Sequence, residues 1–416
     1  MMQNAPDSFH VIEHPLPQTT VTTADGARNV HRDRLARKHS TVAINQFPAQ
    51  GSLSGLIQNQ GTTDFYIRGA DLTFVKKMYL EIQITNGSAS AATFVNLPFW
   101  FQQIQLYLNG GSDQVCSYYP ENLWATLMNK DSEQTACVAG QQNWSATTYS
   151  STGITLAAGA STTYYLELDT LLNQCHLPLD LMAPPRIRCY WSSDILASNS
   201  ALTSNALLTI TNLQLMFVGE KLGERAKKAV IDAMQSGTSS YSVYIPERQI
   251  LPVSSSSITA GTNGVQTLTS VDGTYCDLVC FLRRANAAAE EKYQFDYTTP
   301  AGPSRYLCNG LTLLDASGLP YYVSNLDSKM LKLGLANEYY NSTFLTVFEF
   351  YNWLFTEDPI EAHEEGKRQD IRLTNNFRFQ FSNNATLANG AELVVLGNRL
   401  CQIDLKPSGS VSFRIL

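Results

Sequence analysis

The sequence predicts an all-β protein: two tandem β-sandwiches joined by a helix-bearing linker, behind an extended N-terminal arm. Three observations carry this. Apolar residues alternate with polar ones at period two in segment after segment, a single amphipathic helical stretch falls near the middle, and blocks of the first half find ordered echoes in the second. The 416 residues allow roughly two to three domains at about 150 residues each, long enough to bury a sizeable core.

Composition narrows the class. Hydrophobic residues make up 44%, but charged residues only 16%, against roughly 25% in ordinary soluble domains. With 20 Tyr and 18 Phe this excludes a coiled coil or a charged α-solenoid and suits a β-rich chain with wide partner interfaces. The net charge, 29 minus 36 or -7, excludes a body that binds nucleic acid over its whole surface. No run reaches the roughly 18 apolar residues of a membrane span, and the opening MMQNAPDSFHVIEHP lacks a signal-peptide pattern. A reducing compartment is therefore expected, with Cys116, Cys137, Cys175, Cys189, Cys276, Cys280, Cys308 and Cys401 as buried free thiols. Cys276 and Cys280 have no second pair to finish a zinc site. The sequons at Asn86, Asn143, Asn341 and Asn384 read as chance matches on polar loops.

Taken in order, residues 1–40 read as the arm, because no apolar period there lasts long enough to build an element. Arg28, Arg32, Arg34, Arg37 and Lys38 face only Asp33, which makes the arm's end basic and a candidate inner contact. Residues 41–218 form the first expected sandwich. Met78, Leu80, Ile82 and Ile84 alternate with Tyr79, Glu81, Gln83 and Thr85, as do Ile104, Leu106 and Leu108 with their neighbours. Turn signals stand at Asn86-Gly87 and Asn109-Gly110. Residues 219–237 are the expected linker, with a helix from about Glu220 to Gln235: Leu222, Ala226, Ala229, Val230, Ala233 and Met234 make its stripe and Glu224 sits four before Lys228. Its Lys221, Arg225, Lys227 and Lys228 read as a solvated face. Residues 238–416 form the second sandwich, with alternation at Phe377, Phe379 and Phe381 and at Val411, Phe413 and Ile415, and turn signals at Ser317-Gly318 and Ser408-Gly409.

The halves echo each other. Tyr118-Tyr119-Pro-Glu-Asn122-Leu123 returns as Tyr321-Tyr322-Val-Ser-Asn325-Leu326, and Leu166-Glu167-Leu168 as Phe348-Glu349-Phe350. Arg188-Cys189-Tyr190-Trp191-Ser192 returns as Arg378-Phe379-Gln380-Phe381-Ser382, and Leu207 to Val218 as Glu392 to Leu405. Four matches in one order point to two copies of one β-fold. The copies differ in polar inserts, Asp131 to Ser161 and Thr356 to Asp370, both expected to lie away from the core.

Catalytic constellations are missing. The chain has no His-Glu-x-x-His, Gly-x-Ser-x-Gly, Gly-x-Gly-x-x-Gly or phosphate loop, so no catalytic residue, metal site or cofactor is expected. Asp358, Glu361 and His363 are the residues to test for a cation, beside the plainer reading of a solvated acidic loop. His176 reads as a structural histidine. Paired carboxylates of a glycosidase leave no spacing signature and stay open as a third class.

Two tandem sandwiches of about 180 residues, the repeated Tyr118 and Tyr321 blocks, the linker helix and the arm together resemble the double jelly-roll major capsid proteins of tailless icosahedral double-stranded DNA viruses, those of virophages and polinton-like viruses above all. The resemblance runs from about Thr41 to Leu416 and rests on architecture, with no diagnostic short motif. It implies eight strands per roll and homotrimers forming pseudo-hexagonal capsomers that build the virion shell inside the host cell. It implies as partners the neighbouring capsomers, penton and minor capsid proteins, and the genome or an inner membrane through the arm. The chain is shorter than many eukaryotic members, which argues against large tower domains. The competing reading is a jelly-roll host-attachment or carbohydrate-binding protein.

Overall fold

A computed structural model describes residues 19–30, 40–68, 74–123, 152–222, 241–284, 298–314, 351–354 and 372–415, with short breaks inside these spans, and isolated residues of 224–232. The first half supplies twelve strands: β1 Thr19–Thr23, β2 Gly26–Val30, β3 Ser40–Pro48, β4 Thr62–Tyr66, β5 Phe74–Asn86, β6 Ala92–Val95, β7 Phe101–Leu108, β8 Asp113–Tyr118, β9 Thr152–Leu156, β10 Ser161–Glu167, β11 Arg186–Trp191 and β12 Leu208–Leu222. The second supplies β13 Tyr241–Ile250, β14 Ser257–Ile258, β15 Asn263–Thr267, β16 Gly273–Arg284, β17 Thr298–Thr299, β18 Gly302–Pro303, β19 Cys308–Leu314, β20 Tyr351–Leu354, β21 Arg372–Leu373, β22 Arg378–Asn383, β23 Ala391–Leu405 and β24 Val411–Ile415. Among the described residues a short helix, α1, spans Leu171–Gln174, and residues 120–123 form a further helical turn.

Alternation builds the first roll. Met78, Leu80, Ile82 and Ile84 of β5 are fully buried, as are Leu213, Leu215 and Phe217 of β12. They face Ile104, Leu106 and Leu108 of β7 and Ile187, Cys189 and Trp191 of β11 across one core. The two sheets run β3-β12-β5-β10 and β4-β11-β7-β8, antiparallel throughout. Leaving out the small β6–β9 pair, these are strands 1-8-3-6 and 2-7-4-5 of an eight-stranded unit, the order of a jelly roll. Aromatic edges fix the packing: Phe94, Trp100 and Tyr164 meet edge-on, and the indole N–H groups of Trp100 and Trp191 donate to Val95 O and Thr63 Oγ1.

The second half repeats that order. Leaving out β14, β17, β18, β21 and β24, its sheets run β13-β23-β16-β20 and β15-β22-β19, which among the described residues is again 1-8-3-6 and 2-7-4. Even the irregularities correspond. The ladder skips Lys76 where Val218 and Gly219 meet β5, and skips Cys276 where Asn398 and Arg399 meet β16. Cys189 and Phe379, matched in the sequence, are both buried on equivalent strands, opposite the buried polar Thr63 and Gln266.

Several expectations are corrected. The shared bulge makes Val218 equivalent to Asn398, so Glu392 answers Asn212, not Leu207; by the same pairing Leu166 answers Tyr351, three residues beyond Phe348. Short apolar motifs locate a strand but slide along it, because register is set by hydrogen bonds to a neighbour far away in sequence. β12 continues to Leu222, through the start expected for the linker helix; Glu224, Lys228 and Asp232 are helical and exposed. Pairing of Ser40–Val42 with Glu220–Leu222 extends the strand there over local helix propensity. The arm has elements after all: β1 and β2 form a hairpin, and β1 adds to the edge of β13. The end of the insert Asp131 to Ser161 is not remote from the core either, since β9 pairs with β6 and Leu156 is buried.

Candidate functional site

The second roll is joined to the first by shared hydrophobic core. Val394, Leu396, Cys401, Ile403, Leu405 and Val411 belong to the same contiguous cluster as the first roll's strands, while Leu393, Val395 and Leu400 are also buried. β23 is thus buried on both faces over much of its length, which accounts for a continuous Leu-Val-Val-Leu run in place of alternation. That run was the available sequence signal for a seam on this strand.

Directional bonds then fix the seam. The side chain of Asn109 donates to Val411 O at 2.8 Å and accepts from Val411 N at 2.7 Å. Asn122 Nδ2 donates to Arg248 O at 3.0 Å, and Ala183 N donates to Gly409 O at 2.9 Å. Between these clamps lies a buried polar cluster drawn from both rolls. Glu247 of β13, 2% exposed, accepts from Cys401 Sγ at 3.7 Å and from Gln249 Nε2 at 3.2 Å, and Cys116 of β8 bonds it from the first roll. Burial pushes the Glu247 carboxyl above its ordinary range, and raises the Cys116 and Cys401 thiols and the Tyr118 phenol. The Tyr118 hydroxyl accepts from Leu171 N at 2.9 Å, tying α1 to the cluster.

A second surface is the outer face of β4-β11-β7-β8. Arg186 lies 4.1 Å over the Tyr107 ring, Arg188 makes a two-pronged bond to Asp64 at 2.7 and 2.8 Å, and Tyr66 is 38% exposed. Arginine and tyrosine together on this face suit a protein contact.

Of the basic arm residues, Arg28 lies in β2 opposite Val21; Arg32, Arg34, Arg37 and Lys38 lie outside the described residues. So do His176, Asp358, Glu361, His363, all of Thr356 to Asp370 and the Tyr321 block. Among the described residues no group of three His, Cys, Asp or Glu could hold a metal ion, and no helix is long and apolar enough to cross a membrane. Cys116, Cys189 and Cys401 are buried free thiols. Asn86 is not on a polar loop: it is fully buried, donates to the carbonyls of Ser90, Leu156 and Ala157 and accepts from Ser88 N.

No protein-family model and no curated protein matches the chain. Solved structures do. VP54 of PBCV-1, in a crystal structure fitted into a cryo-EM reconstruction of the virophage Sputnik, aligns with 91% of this chain and 97% of its own at TM-score 0.63 and 13% identity. The major capsid protein of mavirus aligns over 99% and 97% at TM-score 0.51 and 10% identity. The Sputnik virophage structure aligns over 100% and 91% at TM-score 0.50 and 10% identity. At such identities the likeness establishes the fold, two tandem jelly rolls, over nearly the whole chain.

Proposed function

We propose that this chain is the major capsid protein of an icosahedral double-stranded DNA virus, and that its place is the virion shell. The observation that carries the reading is two jelly rolls welded side by side in one chain by a common core, the same fold as three capsid structures over nine-tenths or more of the chain. Three such chains present six similar walls and close into a pseudo-hexagonal capsomer, and capsomers packed edge to edge, with penton and minor proteins, close the shell. We take residues 41–218 and 238–416 as the two rolls and 219–237 as their link, with β12 carried into the link as far as Leu222. The role is structural, without catalysis. Tyr66 and Tyr107 sit on a sheet face, where a lateral contact is the natural use, and no long loop carries them.

The basic residues Arg28, Arg32, Arg34, Arg37 and Lys38 belong, in this reading, to the inner side of the shell, against genome phosphate, an inner membrane or acidic partner surfaces. Sedimentation with negative-stain microscopy tests the whole. A trimer of hexagonal outline is expected; a stable monomer in mild buffer overturns it.

A further inference from the structure

Glu247 is an acid with almost no water. It stands on β13 at the seam, and the groups facing it come from both rolls: Cys116 and Tyr118 from β8, Arg399 and Cys401 from β23, and Gln249 on its own strand. Arg399 is its direct partner across the ladder and is the one group here that favours the ionised form by charge. The remaining stabilisation of a carboxylate comes from two thiols, which are weak donors, and one amide. Among the described residues, Nε of Arg248 and of Arg399 is buried with no hydrogen-bond partner, so the seam's polar groups are incompletely satisfied.

We propose that Glu247 is a proton-operated catch between the two rolls: as the neutral acid it lets the seam close, and loss of its proton loosens the seam. An ionised carboxylate at this depth loses its hydration, which a single guanidinium, two thiols and one amide only partly replace. Because the folded chain holds the proton more tightly than the unfolded chain, the native state binds more protons. The stability from this group is therefore complete in acid and is lost as pH rises through the raised folded value. The rolls separate more readily on the alkaline side, the reverse of ordinary acid denaturation. This inference concerns the isolated chain and stands or falls independently of the shell.

Hydrogen exchange on the purified protein from about pH 5 to about pH 9 tests it, with protection taken relative to the unfolded chain at each pH. The probes are the Val411 and Ala183 amides, which bond across the seam, and the β5 amides as an internal control. Wild type is expected to lose seam protection by up to about tenfold per pH unit between the ordinary carboxyl range and the raised value of folded Glu247, and to level off above it, with β5 unmoved. The isosteric E247Q should keep its seam protection flat across the range. Seam protection independent of pH in wild type, or an equal fall in E247Q, overturns the proposal; the wild-type arm decides by itself if the variant does not fold.

Discussion

Asn109, in the turn after β7, and Val411, at the start of β24, hold each other through two hydrogen bonds across 302 residues of chain. The side-chain amide plays the part of a strand's backbone, offering donor and acceptor side by side to a residue of the other roll. It can do so because Asn109 and Gly110 both take positive φ, 52° and 74°, in the tight turn that Asn-Gly announces. Asn109→Ala removes both bonds and leaves the Val411 N–H and C=O to be re-solvated. A loss of about 1–3 kcal/mol in unfolding stability is expected, read by chemical denaturation, with the seam amides opening first under hydrogen exchange.

Gly397 lies against its own roll's core for want of space. A Cβ there would stand 2.8 Å from Tyr275 Cδ1 and 2.9 Å from Leu251 Cδ1. Gly397→Ala should therefore cost about 1–3 kcal/mol through displacement of the buried Tyr275 ring, measured as a lowered Tm, with no change in the first roll's exchange protection. An unchanged Tm would mean that Tyr275 moves aside freely.

Asn86 behaves as a structural amide. Asn86→Asp keeps the acceptor for Ser88 N but deletes the donors to three carbonyls and buries a charge, so destabilisation above about 2 kcal/mol is expected in equilibrium unfolding. Passage through a glycosylating secretory pathway should leave Asn86 of folded protein unmodified, checked by peptide mass spectrometry.

Cys116, Cys189 and Cys401 are buried, and burial holds each thiol above its ordinary range. They should resist alkylation in native protein at mildly alkaline pH and react fully in denaturant, with mass spectrometry counting the adducts. Rapid native labelling of Cys116 or Cys401 would show the seam to be open.

Removal of residues 1–40 takes away β1 and β2, and with them the cover on the β13 edge. The rolls should still fold, since their cores are made elsewhere, while shell assembly falls and the bared edge invites aggregation. Neutralising Arg28, Arg32, Arg34, Arg37 and Lys38 should do part of the assembly damage alone. Particle yield by gradient sedimentation decides; normal yield from the truncated chain refutes a role for the arm.

Local chemistry decided a good deal here. The alternation of Met78 to Thr85, the Asn109-Gly110 turn and the paired Arg188 and Arg378 strands are properties of a few consecutive residues, so strand, face and duplication were written in the sequence. What required the tertiary structure is everything that depends on a distant partner: where Glu392 falls against Asn212, how far β12 runs beyond Val218, and what the arm pairs with. The seam belongs wholly to that second group. Glu247 stands in a polar Pro-Glu-Arg-Gln stretch that carries no local sign of burial, and the packing of β8 from the other roll and of β23 makes it a buried acid, because desolvation is fixed by what packs around a group and not by its neighbours in the chain.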